Sequence, residues 1–490
     1  MRTVIKATWT VAFVDGGHRL LKDGVVVVDD GRVSEVTQTY DGPRDVEVVL
    51  DDHVLIPGLI DTHVHIGTRA THRLISDSGD DFFYGQPLLH WAITSPTTAS
   101  PGGDGVPLGG DGDVLACRFT ALELLRNGVT TFLEVGGREP LQRCMAEVAN
   151  EVGIRAYLGP GVTTHFYTGS ETRRWDRVRD QRRETTQLDL AERFVSDFRE
   201  RPGLVRPAIV ARELENCSPE LLQHLAATAE AADVPLVTHA GYSPIEWHII
   251  NQEHGVTPLE YLESNGALVP RLIIAHGNLL GDNHPFWSSR TDLALLGRSG
   301  ASVSHAPVNL VRRGRTFDSL DSYARAGVNL CLGADTFPRD PFMQMRTASY
   351  MCKGVTKDYR SGSAAQVFEM ATTGGAAALG RPDLGRIAPG ATADLVGVSL
   401  RPESSLRMGV VRDPVSALVD CAVGDDVRYV MVDGQVVLER GRFVREDVAA
   451  TLGAAQEDAE RYWSTVQDWH PRGKTVEEVS PLSFPLVRPS

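Results

Sequence analysis

Leu55 to Gly67 reads LIPGLIDTHVHIG. It is apolar through Ile60, as a strand buried on both faces should be, and then carries two histidines two positions apart. Alternate side chains of a strand share a face, so His63 and His65 point into one space, where their imidazoles are close enough to hold a single metal ion. Counted from Val54 to Ile66 as the first, eight short apolar runs follow one another along the chain. The others are Val129 to Val135, Arg155 to Val162, Leu204 to Ala211, Pro235 to Ala240, Leu272 to Gly277, Ala301 to Pro307 and Val328 to Asp335. Longer helical patterns separate them. Eight such repeats predict a closed (β/α)₈ TIM-like barrel over residues 56–380. An open doubly wound sheet is the alternative, but no glycine-rich phosphate loop follows the first run.

The two ends of the chain speak a different language. Residues 3–55 contain alternating apolar runs broken by Asp15-Gly16-Gly17 and Asp30-Gly31, and similar runs return at Gly385 to Leu400 and Arg428 to Val444, with a turn at Asp433-Gly434. Residues 1–55 and 381–445 are therefore expected to build one small β-sandwich domain between them. Residues 446–490 should form a C-terminal helix and an extended tail. Residues 67–112, rich in Gly, Pro, Ser, Thr and Asp, interrupt the repeat after the first strand, and a loop this long suits a lid over the barrel mouth.

Three more of the apolar runs end in a single ionisable group: His239 in VTHAG, His276 in IAHGN and Asp335 in LGADT. Singly, a buried histidine is most often a hydrogen-bonded core residue, and an aspartate after a strand suits a helix N-cap. In a barrel, however, the strand C-termini surround one mouth, so five such residues converge there.

Composition narrows the partners. The 490 residues include 49 basic and 64 acidic ones, for a net charge of -15, which disfavours nucleic acid and anionic membrane surfaces. The sequence is expected to carry no export signal, and no stretch reaches about 20 apolar residues. The six cysteines are scattered without a C-x-x-C pair, which suits a reduced, cytoplasmic setting.

LIPGLIDTHVHIG, VTHA, IAHG, HAPVN (His305 to Asn309) and LGADT together resemble the amidohydrolase superfamily. The likeness is to its ATZ/TRZ-like branch, with s-triazine hydrolases, cytosine and guanine deaminases and adenosylhomocysteine deaminases. Leu122 to Gly136 and Gly385 to Val396 also look like the branch's second strand and closing β segment. The resemblance implies that His63, His65, His239 and Asp335 hold one divalent metal, with zinc expected and iron, cobalt or manganese as alternatives. It further implies that Asp335 carries the proton of the attacking water, and that His276 orients that water and stabilises the oxyanion. Binuclear relatives bridge two ions with a carbamylated lysine. The five lysines here are Lys6, Lys22, Lys353, Lys357 and Lys474, so none lies between His63 and Asp335. A glutamate or cysteine bridge remains open, but a mononuclear site is the expectation.

The resemblance breaks after His239. Branch members typically read His-x-x-Glu, the glutamate protonating a ring nitrogen of a heteroaromatic substrate; here the third position is Tyr242, and the nearest carboxylate is Glu246. Tyrosine, with an ordinary pKa near 10, is a poor proton shuttle at neutral pH. The expected reaction is hydrolysis of an amide, urea or carbamate C–N bond in a small, largely neutral molecule. A deaminase or dechlorinase of a triazine, pyrimidine or purine, with Glu246 or another acid in the glutamate's place, is the alternative, and a non-catalytic scaffold is a third reading. HAPVN is also one residue shorter than the usual H-x-P-x-S-N. Candidate substrate contacts are Tyr242, His305, Asn309, Trp91, His165 and Glu246, with Phe82, Tyr84, Tyr167 and Trp247 as further aromatic walls. A homo-oligomer, a dimer or larger, is the expected assembly.

Overall fold

A computed structural model describes residues 1–66, 73, 111–169, 175–284, 287, 290–401, 406–469 and 473–487. Most of the segment expected to be a lid, with Phe82, Tyr84 and Trp91, lies outside them. The apolar run Val54 to Ile66 is two strands, not one, parted at Gly58. A Cβ there would lie 2.1 Å from Thr130 Oγ1, so only glycine lets the chain turn from one sheet into the next.

The first sheet holds both ends of the chain. Its strands are β1 (Arg2–Val14), β2 (Gly17–Asp29), β3 (Arg32–Thr37) and β4 (Val46–Pro57) from the start. Residues after the barrel supply the other four strands of this sheet, Leu395–Ser399, Val427–Val432, Gln435–Glu439 and Arg442–Phe443. All eight form one continuous hydrogen-bonded sheet, in which β4 pairs antiparallel with Leu395–Ser399 and so joins the two ends.

The barrel begins with β5 (Leu59–Val64) and β6 (Val129–Glu134). Its third strand is broken into β7 (Arg155–Leu158) and β8 (Gly161–Val162). The hairpin β9 (His165–Gly169) and β10 (Trp175–Arg179) follows. The fourth strand is broken likewise into β11 (Val205–Pro207) and β12 (Ile209–Glu213). Then come β13 (Leu236–Ala240), β14 (Leu272–His276), β15 (Ser302–His305) and β16 (Asn329–Leu332), all in parallel register. β7 pairs with β11 and β8 with β12, which carries the ring across the two breaks. Closure comes where the His65 amide donates to Asp335 O at 2.9 Å and the Asp335 amide to His63 O at 2.7 Å. The fold is thus a TIM-barrel-like α/β architecture, with each helix side buried as a parallel sheet requires.

A buried cluster of Ile60, Leu133, Tyr157, Val210, Val237, Ile273 and Cys331 draws on seven of the eight strands and fills the barrel interior. Their neighbours Leu59, Phe132, Leu236, Leu272 and Ile274 join the helix-facing core. This two-residue alternation places His239 inward, since Val237 is inward. The C-terminal helix Val448–Ser464 packs on Asp111–Arg126, beside an Arg118–Glu446 ion pair at 2.8 Å.

Candidate metal centre

His63, His65, His239, His276 and Asp335 meet at the C-terminal mouth of the barrel. The Nε2 atoms of His63, His65 and His239 lie 3.2–3.3 Å from one another. Asp335 Oδ1 is 3.8 Å from His63 Nε2 and 3.5 Å from His65 Nε2. His276 Nε2 is 3.8 Å from the other carboxylate oxygen, Oδ2. The spacing of the three nitrogens matches the edge of a tetrahedron, about 3.3 Å, drawn round an ion with metal–nitrogen bonds of about 2.0–2.1 Å. Hydrogen bonds cannot account for all three contacts: His239 Nδ1 is 2.6 Å from Arg212 O and must carry the proton, so its Nε2 can only accept, and if His63 and His65 both donated to it their own Nε2 atoms would meet as two donors. The residues present therefore fit a divalent metal.

Burial holds the imidazoles neutral, which is their ligand form. It pushes His63 and His239 down to about 3 and His276 well below its ordinary value, with the neighbouring histidines adding to the effect on His239 and His276. Burial also raises Asp335, against the opposing pull of Arg313. His276 reaches the centre by a backbone turn. Ala275 is inward, so the next residue should face the helices, but His276 has φ 80° and its ring swings back to 4.8 Å from that of His63. Asp335 is left-handed too, with φ 64°. Two non-glycine residues in this region at one mouth store strain where the chemistry is placed.

Around the centre, several expected contacts have specific settings. Tyr242 stacks on His276 with ring centroids 5.8 Å apart, and its hydroxyl donates to Glu215 Oε1 at 2.7 Å. Glu246 is fully buried. It accepts from the amides of Gly241 and Tyr242 at 2.8 Å and of Ser243 at 3.3 Å, closing the cap of the helix Pro244–His254. His305 ends β15 and packs on Phe317 at 4.4 Å, held neutral by burial. Asn309 is buried in the helix Pro307–Arg312, and its Nδ2 has no hydrogen-bond partner. His165 opens the β9–β10 hairpin beyond β8. Trp247 stacks on His284 at 4.3 Å and donates to Leu279 O, which makes it core.

Three residues near the centre were not picked out from the sequence. Glu215 follows β12 in a short 3-10 turn, past the point where the apolar run stops. Arg313 and Arg315 follow β15; the Arg315 Nη1 donates to Tyr242 O at 2.9 Å. A strand-end rule extended by a few residues would have reached Glu215.

A histidine and aspartate cluster at the mouth of an eight-stranded barrel suits metal-assisted hydrolysis. Residues 54–437 match the amidohydrolase family, and the chain belongs to it. It is 30% identical over 433 residues to a 5'-deoxyadenosine deaminase of Methanothermobacter thermautotrophicus, covering 86% of this chain and 90% of that one. It is likewise 30% identical over 446 residues to a 5-methylthioadenosine/S-adenosylhomocysteine deaminase of Halobacterium salinarum, covering 90% and 94%. Among solved structures it is similar to an adenosine deaminase from Xanthomonas campestris with bound zinc, with a TM-score of 0.78, 24% identity, and 94% and 98% coverage. An atrazine chlorohydrolase mutant from Arthrobacter aurescens has a TM-score of 0.77 at 22% identity, with 93% and 100% coverage. These structures share the fold. The chain is a hydrolytic enzyme acting on carbon–nitrogen bonds.

Proposed function

We propose that the protein holds one divalent metal at His63, His65, His239 and Asp335 and hydrolyses an amide, urea or carbamate C–N bond of a small molecule. The observation that carries this reading is the state of the acids beside Tyr242. The Tyr242 hydroxyl already donates its hydrogen bond to Glu215, and the Glu246 carboxylate is taken up by three backbone amides. Neither side chain is placed to protonate a ring nitrogen. A carbonyl substrate needs no such proton.

The metal would supply Lewis acidity, which lowers the pKa of a water to about 7. Asp335, its pKa raised by burial, accepts the proton as the water adds to the carbonyl carbon, then delivers it to the nitrogen as the C–N bond breaks. His276 orients the water and supports the oxygen on which negative charge grows. Tyr242, His305, Asn309, Trp91 and His165 are the proposed substrate contacts, and Glu246 shapes the loop that presents Tyr242. Zinc is the proposed ion, with iron, cobalt and manganese as the alternatives that metal analysis of the purified protein separates.

Heteroaromatic deamination is the second reading, favoured by the names of the relatives at 30% identity. One assay distinguishes the two: the metal-loaded protein is offered 5'-deoxyadenosine and 5-methylthioadenosine beside a panel of amides, ureas and carbamates. Ammonia from the nucleosides, with the panel untouched, would overturn the first reading. Metal that stays substoichiometric after reconstitution would revive a scaffold role.

The same proposal divides the chain into a composite β-sandwich of 1–55 and 381–445, a barrel of 56–380 and a C-terminal region of 446–490. Ile5, Val26, Val28, Leu55, Tyr429 and Met431, packed in one buried cluster, support the sandwich. Six free cysteines support a reduced cytoplasmic setting, and among the described residues no helix is long and apolar enough to cross a membrane. Homo-oligomerisation is supported by the exposed tail residues Leu482, Phe484, Leu486 and Val487, and light scattering of the full chain tests it.

A further inference from the structure

The helix Pro307–Arg312, just beyond β15 at the barrel mouth, presents donors for which the described protein supplies no acceptor. Asn309 is 7% exposed, and its Nδ2 makes no hydrogen bond. Arg313 caps the helix with φ -99° and ψ 13°. Four residues apart on a helical turn, Asn309 and Arg313 share a face. Among the described residues the Arg313 guanidinium makes no hydrogen bond or ion pair.

The flanking arginines are committed, and their tethers fix where Arg313 sits. Arg312 Nη1 donates to Phe337 O at 3.3 Å, and its guanidinium lies 4.3 Å from the centre of the Phe337 ring. Arg315 holds Tyr242 O. The loop is thus pinned on one side two residues past Asp335 and on the other three residues past His239. Arg313 is held between these anchors, and its charge is felt by His63, His276, Asp335 and Tyr242.

Asp335, whose charge the guanidinium feels without pairing with it, is a proposed metal ligand, and a sheltered cation that lacks a direct partner is costly. A planar anion solves the problem, because a guanidinium fork pairs with a carboxylate through two parallel N–H···O bonds and an amide N–H can add a third. We propose that Asn309 and Arg313 form a carboxylate subsite of the active site, so that the substrate carries a carboxylate beyond its scissile C–N bond. This rests on the hydrolase reading only in assigning the anion to a substrate, and it replaces the largely neutral molecule expected from the sequence.

Binding tests it without turnover. N-benzoylglycine and its carboxamide, and S-adenosylhomocysteine and 5-methylthioadenosine, are titrated calorimetrically into zinc-loaded and chelator-treated protein. In at least one pair the carboxylate should bind roughly 10- to 100-fold tighter, with or without zinc. Arg313→Gln should remove the preference, Arg313→Lys should keep part of it, and Asn309→Ala should reduce it. The proposal is overturned if wild-type protein shows no carboxylate preference in either pair. It is equally overturned if Arg313→Gln keeps the preference, or if chelation alone abolishes it, because the carboxylate then sits on the metal. Intact preference with no C–N hydrolysis of any compound would sink the hydrolase reading and leave the subsite standing.

Discussion

Glu246 and Tyr242 show how one residue's role depends on which way its polar atoms face. From the sequence, Glu246 is the nearest acid to His239 and so a candidate proton donor. In the fold, its carboxylate is spent on the amides of Gly241, Tyr242 and Ser243. Burial, then the charge of Glu215, raises its pKa well above the ordinary value. Glu246→Gln keeps the size but can accept through one oxygen only. We expect a loss of about 1–3 kcal/mol in urea unfolding, with metal content unchanged and turnover within a few-fold of wild type. Turnover slowed by roughly two orders of magnitude or more, at unchanged stability, would instead mark Glu246 as the acid. Tyr242→Phe has a different signature. It leaves the Glu215 carboxylate, 2% exposed, without its hydroxyl donor, so stability should drop by a similar amount. Because the ring stacked on His276 remains, metal content should again be unchanged.

At the scale of the element, the strands explain both what the sequence revealed and what it hid. Parallel strands buried on both faces leave continuous apolar runs, and the ionisable residues at the ends of four of the eight runs stand out against them. His63, His239, His276 and Asp335 were therefore legible. Arg313 and Glu215 were not, because they lie in turns with no period, and the carbonyl of Arg212 that orients His239 is backbone, which any residue supplies. Gly58 was invisible for a related reason: an apolar run does not report where it changes sheets. β16 carries the clearest element-level prediction. Just past its end the chain runs so close to β5 that a Cβ on Gly333 would lie 2.3 Å from His63 Cβ and 3.0 Å from His63 N. Neither atom can move without displacing the strand. Gly333→Ala should thus shift His63 and weaken metal affinity by roughly 10- to 100-fold, measured by competition with a chelating dye. Gly354→Ala, in the helix Pro341–Thr356 with nothing within 4 Å of the new Cβ, is the control and should gain up to about 1 kcal/mol.

Across the whole molecule, the barrel and the composite sheet are joined by buried polar contacts as well as apolar ones. Arg155 of β7 pairs with Asp394, and both are nearly inaccessible; Asp394 also accepts the amide of Asp433 at 2.8 Å. Arg155→Met would strand that carboxylate, so a loss of about 3–5 kcal/mol is expected in urea unfolding. A second contact between the two bodies makes stability depend on pH. His18 of β2 sits between Phe13 and Phe368, with ring centroids 5.5 and 5.3 Å away. Its Nε2 is 3.1 Å from Thr372 Oγ1, which itself donates to Phe368 O, so His18 must be the donor and its Nδ1 a bare lone pair. No partner awaits a proton on Nδ1. Burial, helped by the positive charge of Arg386, pushes His18 down to about 4. In the unfolded chain its pKa returns to about 6.5, so between these values the unfolded state binds more protons and stability falls as pH is lowered. One proton of difference corresponds to at most about 1.4 kcal/mol per pH unit. Other groups, including the metal ligands, titrate as well, so the informative quantity is the difference between wild type and His18→Gln. Unfolding free energies from about pH 6.5 to about pH 4.5 should fall less steeply in the variant, by an amount approaching that limit near pH 5. Parallel curves would show that His18 is protonated as easily in the fold as in the open chain, and that its contact with Thr372 does not link the sheet to the barrel.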